Sequence, residues 1–368
     1  MAGQEELHLG CCITPHGFGH AARVAAVLAT LASRVRLHCT MLTRVPRWFF
    51  HDCGAASLQW HDLRTDVGFV QKSSLEEDMA ATQSALDSFY PLDDDRIDRA
   101  CRLFAGCDCI LSDIAPLGIV AADRLNVPSI LLENFTWDWI YRAYSQEHPF
   151  LEAHIRYLHD LYQQADHHLQ ATPICRTVPG AVTLPPVFRQ STTSRQAVSR
   201  HLGVSSDRPV ILLTMGGIGG KNFVLRALQS RDKYVFLLAG TGEKEQLLGN
   251  VYLIPSRSAF YHPDLIRAAD LVVGKLGYST VAEVYGAGTP FACIGRPRFP
   301  ESAVLARFVH ENNMGRTLSN ESFESGAWLD QLDELLDLPR FEGRRANGAS
   351  QAAEYLLTRV CGQARGVI

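Results

Sequence analysis

The chain has 368 residues, of which 46% are hydrophobic and 20% charged, with a formal net charge of −4. That length allows two or three domains with sizeable cores, and the charge gives no electrostatic reason to expect nucleic acid as a partner. No apolar run reaches the ~18 residues of a membrane span.

The first predicted element is a strand at "LHLGCCIT", beginning at Leu7, followed by a helix over Ala21 to Ala32. "RVRLHCTML" predicts a second strand, and a charged, irregular stretch and a helix from Leu75 to Phe89 come next. "CDCILSD" is a strand ending at Asp113, "PLGIVAADRLNV" a helix and "PSILLEN" a strand. That alternation predicts a parallel sheet with helices on both faces. The run "TPICRTVPGAVTLPPVFRQSTTSRQ" is rich in Pro, Ser and Thr and reads as a linker with room for a short strand.

Alternation restarts at "PVILLTM", with a helix near Val224 and strands at "YVFLLAG", "NVYLIP", "LVVGK" and "PFACIG". The tail from Arg345 to Ala364 has helical composition. The expected organisation is a first domain over 1–180, a linker over 181–207, a second domain over 208–344 and a tail over 345–368 packing back on the first domain. The fold class is α/β, two Rossmann-like, doubly wound parallel-sheet domains facing across a cleft.

The ten cysteines show no zinc-ribbon spacing, and "MAGQEELHLG" lacks the basic and apolar regions of an export signal. Free thiols and a cytoplasmic location are therefore expected. The adjacent His167 and His168 have no third ligand nearby, and the D-x-D of "PLDDDRID" reads as a solvated helix start. No metal is expected.

Residues just after strands carry the chemistry in such folds. "TMGGIGG" follows an apolar strand, and Gly216, Gly217 and Gly219 would let backbone N–H groups approach a diphosphate at a helix start. It matches neither G-x-x-x-x-G-K-[ST] nor G-x-G-x-x-G. In "VVGKLGYSTVAEVYGAGTP" a strand ends, Gly277 turns the chain, and Ser279 and Thr280 open a helix. Glu283 lies three residues after Thr280. It is either the acid of a capping box or a carboxylate accepting both hydroxyls of a ribose.

The "KLGYSTVAE" turn with its "GAGTP" strand entry resembles the nucleotide-sugar site of GT-B glycosyltransferases. The resemblance implies Ser279 and Thr280 on the diphosphate, Glu283 on the ribose and Lys275 where those families have a cation or histidine. It places Glu301 of "RPRFPES" near the donor sugar, with Ser302 where those families have Gln. It also sets the base against "PSRSAF", with Ser258 and Phe260, and makes UDP the first choice of carrier.

A second resemblance covers nearly the whole chain. "ITPHGFGHAAR", "SDIAPLGIVAADRLNVPSILLENFTWDWIY" and "HPDLIRAADLVVGKLGYSTVAE" are similar to the glycosyltransferase-like amino-terminal domain of plant L-arabinokinases and its stand-alone bacterial relatives. No Gly/Ser-rich kinase phosphate loop is present, so sugar kinase activity is not implied.

In inverting GT-B enzymes a Gly-His pair after the first strand supplies the general base, and Gly19-His20 matches it. An imidazole, with an ordinary pKa of ~6.5, suits removal of a proton from an acceptor hydroxyl near neutrality. Asp113 stands where those enzymes keep the acid that orients the base. Both residues could instead cap or pack against helices. His16, Gly17 and Phe18, with Trp137 and Asp138 of "ENFTWDWIY", are the candidate acceptor contacts, although aromatics at that spacing usually pack in cores.

The expected function is an inverting, metal-independent glycosyltransferase that takes a nucleotide-sugar, with no other cofactor, and a hydroxyl acceptor. The alternatives are a nucleotide-sugar 2-epimerase or hydrolase of the same fold, or a non-catalytic nucleotide-sugar-binding protein.

Overall fold

A computed structural model describes residues 5–72, 76–203, 208–214 and 221–361. The chain divides into two compact units, Met1–Phe188 with Asn347–Ile368, and Arg189–Ala346. Among the described residues no helix is long and apolar enough to cross a membrane.

The first unit is built on strands β1 (Glu6–Ile13), β2 (Arg36–Thr43), β3 (Ser57–Asp62), β4 (Cys109–Asp113), β5 (Ser129–Glu133), β6 (His167–Ala171) and β7 (Val182–Leu184). They form one parallel sheet in the order β3-β2-β1-β4-β5-β6-β7. β1 and β4 lie at its centre, so they are apolar along nearly their whole length, as strands covered on both faces must be. The strand order reverses between them, and this is where a doubly wound sheet opens a ligand crevice at its carboxyl edge. Ile13 and Asp113 end these strands side by side.

Gly17, at φ +82°, turns the chain from β1 into the helix Phe18–Ala32. That helix buries Ala21, Ala22, Ala25 and Ala26, small residues that let its axis lie close to the sheet and carry His20 and Arg23 down with them. The helix Pro116–Leu125, after β4, also packs closely. A Cβ at Gly118 would stand 2.2 Å from Ser112 Oγ and 2.5 Å from Cys12 Cβ.

β3 forms in the stretch that reads as irregular. It lies at the sheet edge, and its partial exposure leaves no apolar run to signal it. The next helix begins at Met79, with Asp78 accepting from the Ala81 N–H at 2.9 Å. In the D-x-D run Asp93 caps the helix Asp94–Phe104. Residues 181–207 are more than a tether. β7 completes the first sheet, and the helix Arg195–Leu202 buries Val198 and Leu202 in the core of the second unit.

The second unit carries β8 (Val210–Thr214), β9 (Val235–Ala239), β10 (Gln246–Leu248), β11 (Val251–Ile254), β12 (Leu271–Lys275), β13 (Phe291–Ile294) and β14 (Gly315–Leu318). Their order is β10-β11-β9-β8-β12-β13-β14, parallel except for the edge hairpin β10–β11. Apolar clusters cover both faces, one around Leu212, Val272 and Phe291 and the other around Leu213, Phe236 and Val273. The order reverses between β8 and β12, so Thr214 and Lys275 end the strands at the second switch point. The terminal helix Gly348–Tyr355 belongs to the first unit, where Arg34 Nη1 meets Glu354 Oε2 at 2.6 Å.

Candidate functional site

In the first unit, the switch point gathers side chains from β4, the helix Phe18–Ala32 and the turn after β5. Asp113, fully buried, closes β4. His20 Nδ1 stands 2.7 Å from Asp113 Oδ1, and His20 is 8% exposed. Arg23, one turn further along the helix and 1% exposed, donates from Nε to Asp113 Oδ2 and from Nη2 to Oδ1, both at 2.7 Å. Its third arm, Nη1, donates to Asn134 Oδ1 at 2.7 Å.

Burial opposes ionisation of Asp113, but the Arg23 guanidinium and His20 outweigh it and hold the carboxyl below its ordinary range. An ionised Asp113 only accepts, so the proton of a neutral imidazole sits on Nδ1 and the Nε2 lone pair is left over. Among the described residues Nε2 has no hydrogen-bond partner. This is the arrangement of an oriented base.

Asp66, in the loop after β3, was not singled out by the sequence. It is buried, receives a 2.8 Å hydrogen bond from Trp137 Nε1 on Oδ2, and leaves Oδ1 unpartnered. Burial pushes its carboxyl up to about 7, against the pull of Thr14, Trp137 and Arg64 and with a further push from Asp113.

The acceptor contacts expected at Trp137 and Asp138 need correction. Both are fully buried. Trp137 packs on Tyr141 and against the edge of His16, 4.9 Å between centroids. Asp138 takes Thr136 Oγ1 on one oxygen and, on the other, His159 Nδ1 at 3.3 Å and Arg176 Nη1 at 3.1 Å. Neither side chain presents a face to a ligand. The exposed aromatic near His20 is instead Phe18, 43% exposed and stacked on Phe49 at 5.0 Å, with Trp48 alongside. Gly17 is exposed and His16 half-buried.

In the second unit Gly277 precedes the helix Tyr278–Ala287, with half-buried Ser279 and Thr280 in its first turn. The capping-box alternative fails for Glu283, which meets side chains instead. Arg189 Nε donates to Oε1 at 2.8 Å, and His262 Nδ1 lies 3.0 Å from Oε2. His262 Nε2 in turn lies 3.2 Å from Thr214 Oγ1 at the end of β8.

Glu283 is 3% exposed; burial pushes its carboxyl up, but Arg189 and His262 outweigh that and hold it below its ordinary value. Arg189 is fixed from behind, since the N–H groups of Thr192 and Thr193 bond to Asp264 Oδ1 at 2.6 and 3.0 Å. Neither Arg189 nor His262 was assigned a role from sequence.

Lys275 ends β12, half-buried. Glu301 is buried at the start of the helix Glu301–Glu311, and Ser302 Oγ accepts from the Arg296 N–H at 3.0 Å. Ser258 Oγ accepts from the Phe260 N–H at 3.2 Å, and Phe260 packs on His201 and Tyr252. Gly216, Gly217 and Gly219 lie outside the described residues. Among the described residues the one grouping with metal-ligand spacing is Glu6, His8 and His38, at the amino ends of β1 and β2 and so at the opposite end of the sheet from His20.

No family model matches the sequence. The chain is 27% identical to an L-arabinokinase of Arabidopsis thaliana over 372 residues, 96% of this chain but 34% of that protein, so it spans about a third of that relative's length. It is 29% identical over 167 residues to a UDP-N-acetylglucosamine–N-acetylmuramyl-(pentapeptide) pyrophosphoryl-undecaprenol N-acetylglucosamine transferase of Desulforudis audaxviator, covering 39% of this chain and 40% of that one. Among solved structures, Arabidopsis thaliana UGT89C1 complexed with quercetin superposes with a TM-score of 0.64 at 15% identity, over 96% of this chain and 99% of the other. Together with the two switch-point sheets, these likenesses show that the chain has the two-domain α/β fold of GT-B glycosyltransferases.

Proposed function

We propose that the protein is an inverting glycosyltransferase that moves a sugar from a nucleotide-diphosphate sugar to an acceptor hydroxyl. The observation that carries the reading is the 2.7 Å contact between His20 Nδ1 and Asp113 at the switch point of the first sheet, with Nε2 left over. In this reading Nε2 takes the proton of the acceptor hydroxyl as its oxygen bonds to the anomeric carbon. The bond from that carbon to the diphosphate oxygen breaks on the opposite face, and the electron pair leaves with the nucleotide. Asp113 stabilises the imidazolium, which then loses its proton to solvent.

Ser279, Thr280 and the N–H groups of the first helical turn suit the diphosphate. The ionised Glu283 suits the ribose hydroxyls. The Desulforudis relative is named for a UDP-sugar donor, which supports UDP as the first carrier to test.

The test is a thermal-shift screen of nucleotide-sugars, in which a donor at 100 times its Kd adds ~2.7 kcal/mol. Transfer to a hydroxyl panel follows, with the anomeric configuration of the product read by NMR. Retention of configuration, or solvent deuterium entering C2 of the donor sugar without an acceptor, contradicts the proposal. The latter outcome points to epimerisation.

A further inference from the structure

We infer that Arg23 is a positioning residue that keeps the buried His20–Asp113 pair from taking up a proton at neutral pH, so that His20 meets the acceptor as a free base. The inference rests on the reading of His20 as that base. Arg23 is held by three hydrogen bonds of 2.7 Å, two of them a fork on Asp113. Its Nη2 also lies 3.2 Å from His20 Nδ1. An arginine this deeply buried is found almost solely where it is paired.

The charge count gives the consequence. With Arg23 present, the neutral imidazole, the carboxylate and the guanidinium sum to zero. An imidazolium would then add an uncompensated charge within reach of the guanidinium. Without Arg23, the pair would carry a buried net negative charge, which one proton relieves whichever of the two groups holds it.

The other charged and titratable groups around the pair do not replace Arg23. The loop after β3 contributes Asp66, a second acid whose charge adds to that of Asp113, and Arg64, which acts on Asp66. The turn after β5 contributes the neutral Asn134 and Phe135, the latter edge-on to His20 at 5.6 Å. The loop after β1 contributes Thr14 and His16. A lysine would keep the charge but lose the fork.

The experiment follows the His20 ring by ¹⁵N-edited NMR in the full-length protein, with His20→Ala for assignment, and needs no substrate. In Arg23→Gln the midpoint of the ring titration should move up by one pH unit or more. Arg23→Lys should move it less than half as far. The acid limb of transfer should shift with the ring, so that Arg23→Gln loses about tenfold at pH 6.5 and recovers at pH 9. A folded Arg23→Gln with an unchanged or lower midpoint overturns the inference, as does a rate loss that is uniform across pH. Should Arg23→Gln fail to fold, the wild-type protein still decides: its His20 must be neutral at pH 7 with the proton on Nδ1, and an imidazolium there overturns the inference. Absence of transfer in the wild type with every donor would remove the transferase reading and leave the ring titration to judge Arg23.

Discussion

Glu283 is asked to do two jobs, and a pair of substitutions separates them. Glu283→Ala removes the carboxylate that Arg189 Nε meets at 2.8 Å, where the two side chains are only 10% and 2% exposed. Breaking one side of a buried pair typically costs about 3–5 kcal/mol, because the remaining charge stays buried. Adding Arg189→Met should recover most of that loss. Nucleotide binding should not recover with it. If Glu283 accepts ribose hydroxyls, each charge-assisted bond is worth about 1.5–3 kcal/mol, so losing even one weakens UDP by tenfold or more.

The sign of the pH dependence follows from the depressed carboxyl. Its stabilisation is present above its ordinary value of 4.5 and is lost as pH falls through the lower folded value, so the single variant and wild type should converge in acid. Denaturant unfolding and UDP calorimetry on wild type, Glu283→Ala and the double variant decide it. Wild-type UDP affinity in a double variant of restored stability would show that Glu283 only holds Arg189. Wild-type stability in Glu283→Ala would refute the pairing argument itself.

Two further outcomes follow. Asp66, raised from 3.8 to about 7, binds a proton in the folded state that the unfolded chain has released, so stability should fall as pH rises from 4 to 7, by on the order of 4 kcal/mol in all. Asp66→Asn should abolish that slope in denaturant titrations at stepped pH, and an unchanged slope would place its origin elsewhere. Gly118→Ala sets a Cβ 2.2 Å from Ser112 Oγ and should destabilise by about 1–3 kcal/mol or more; unfolding indistinguishable from wild type would show that the helix after β4 has slack.

The parallel architecture was legible because central strands such as β1 and β4 are apolar throughout and each is followed by a glycine or proline turn into a helix. His20, Asp113 and Glu283 were legible for the same reason, since each closes a strand or opens the helix after one. Their partners were not. Arg23, three residues after His20, looks like an ordinary solvated charge until the alanines around it are seen to bury it. The separation of Arg189 from Glu283 by 94 residues, and its place in a Pro, Ser and Thr-rich stretch, hid it entirely. His262 sits beside a proline at a helix start, where a capping role is the simpler expectation. Trp137 and Asp138 went the other way. Their types suit a sugar, but only the tertiary packing of Asp66, Arg176 and Tyr141 around them shows that they are interior.

The measurement that tests the central claim most directly is the transfer rate of His20→Ala against wild type, with donor affinity followed by calorimetry. A general base typically contributes about 10²–10⁴-fold, so the account predicts a loss of that size with donor binding nearly intact. A wild-type rate in His20→Ala would contradict it.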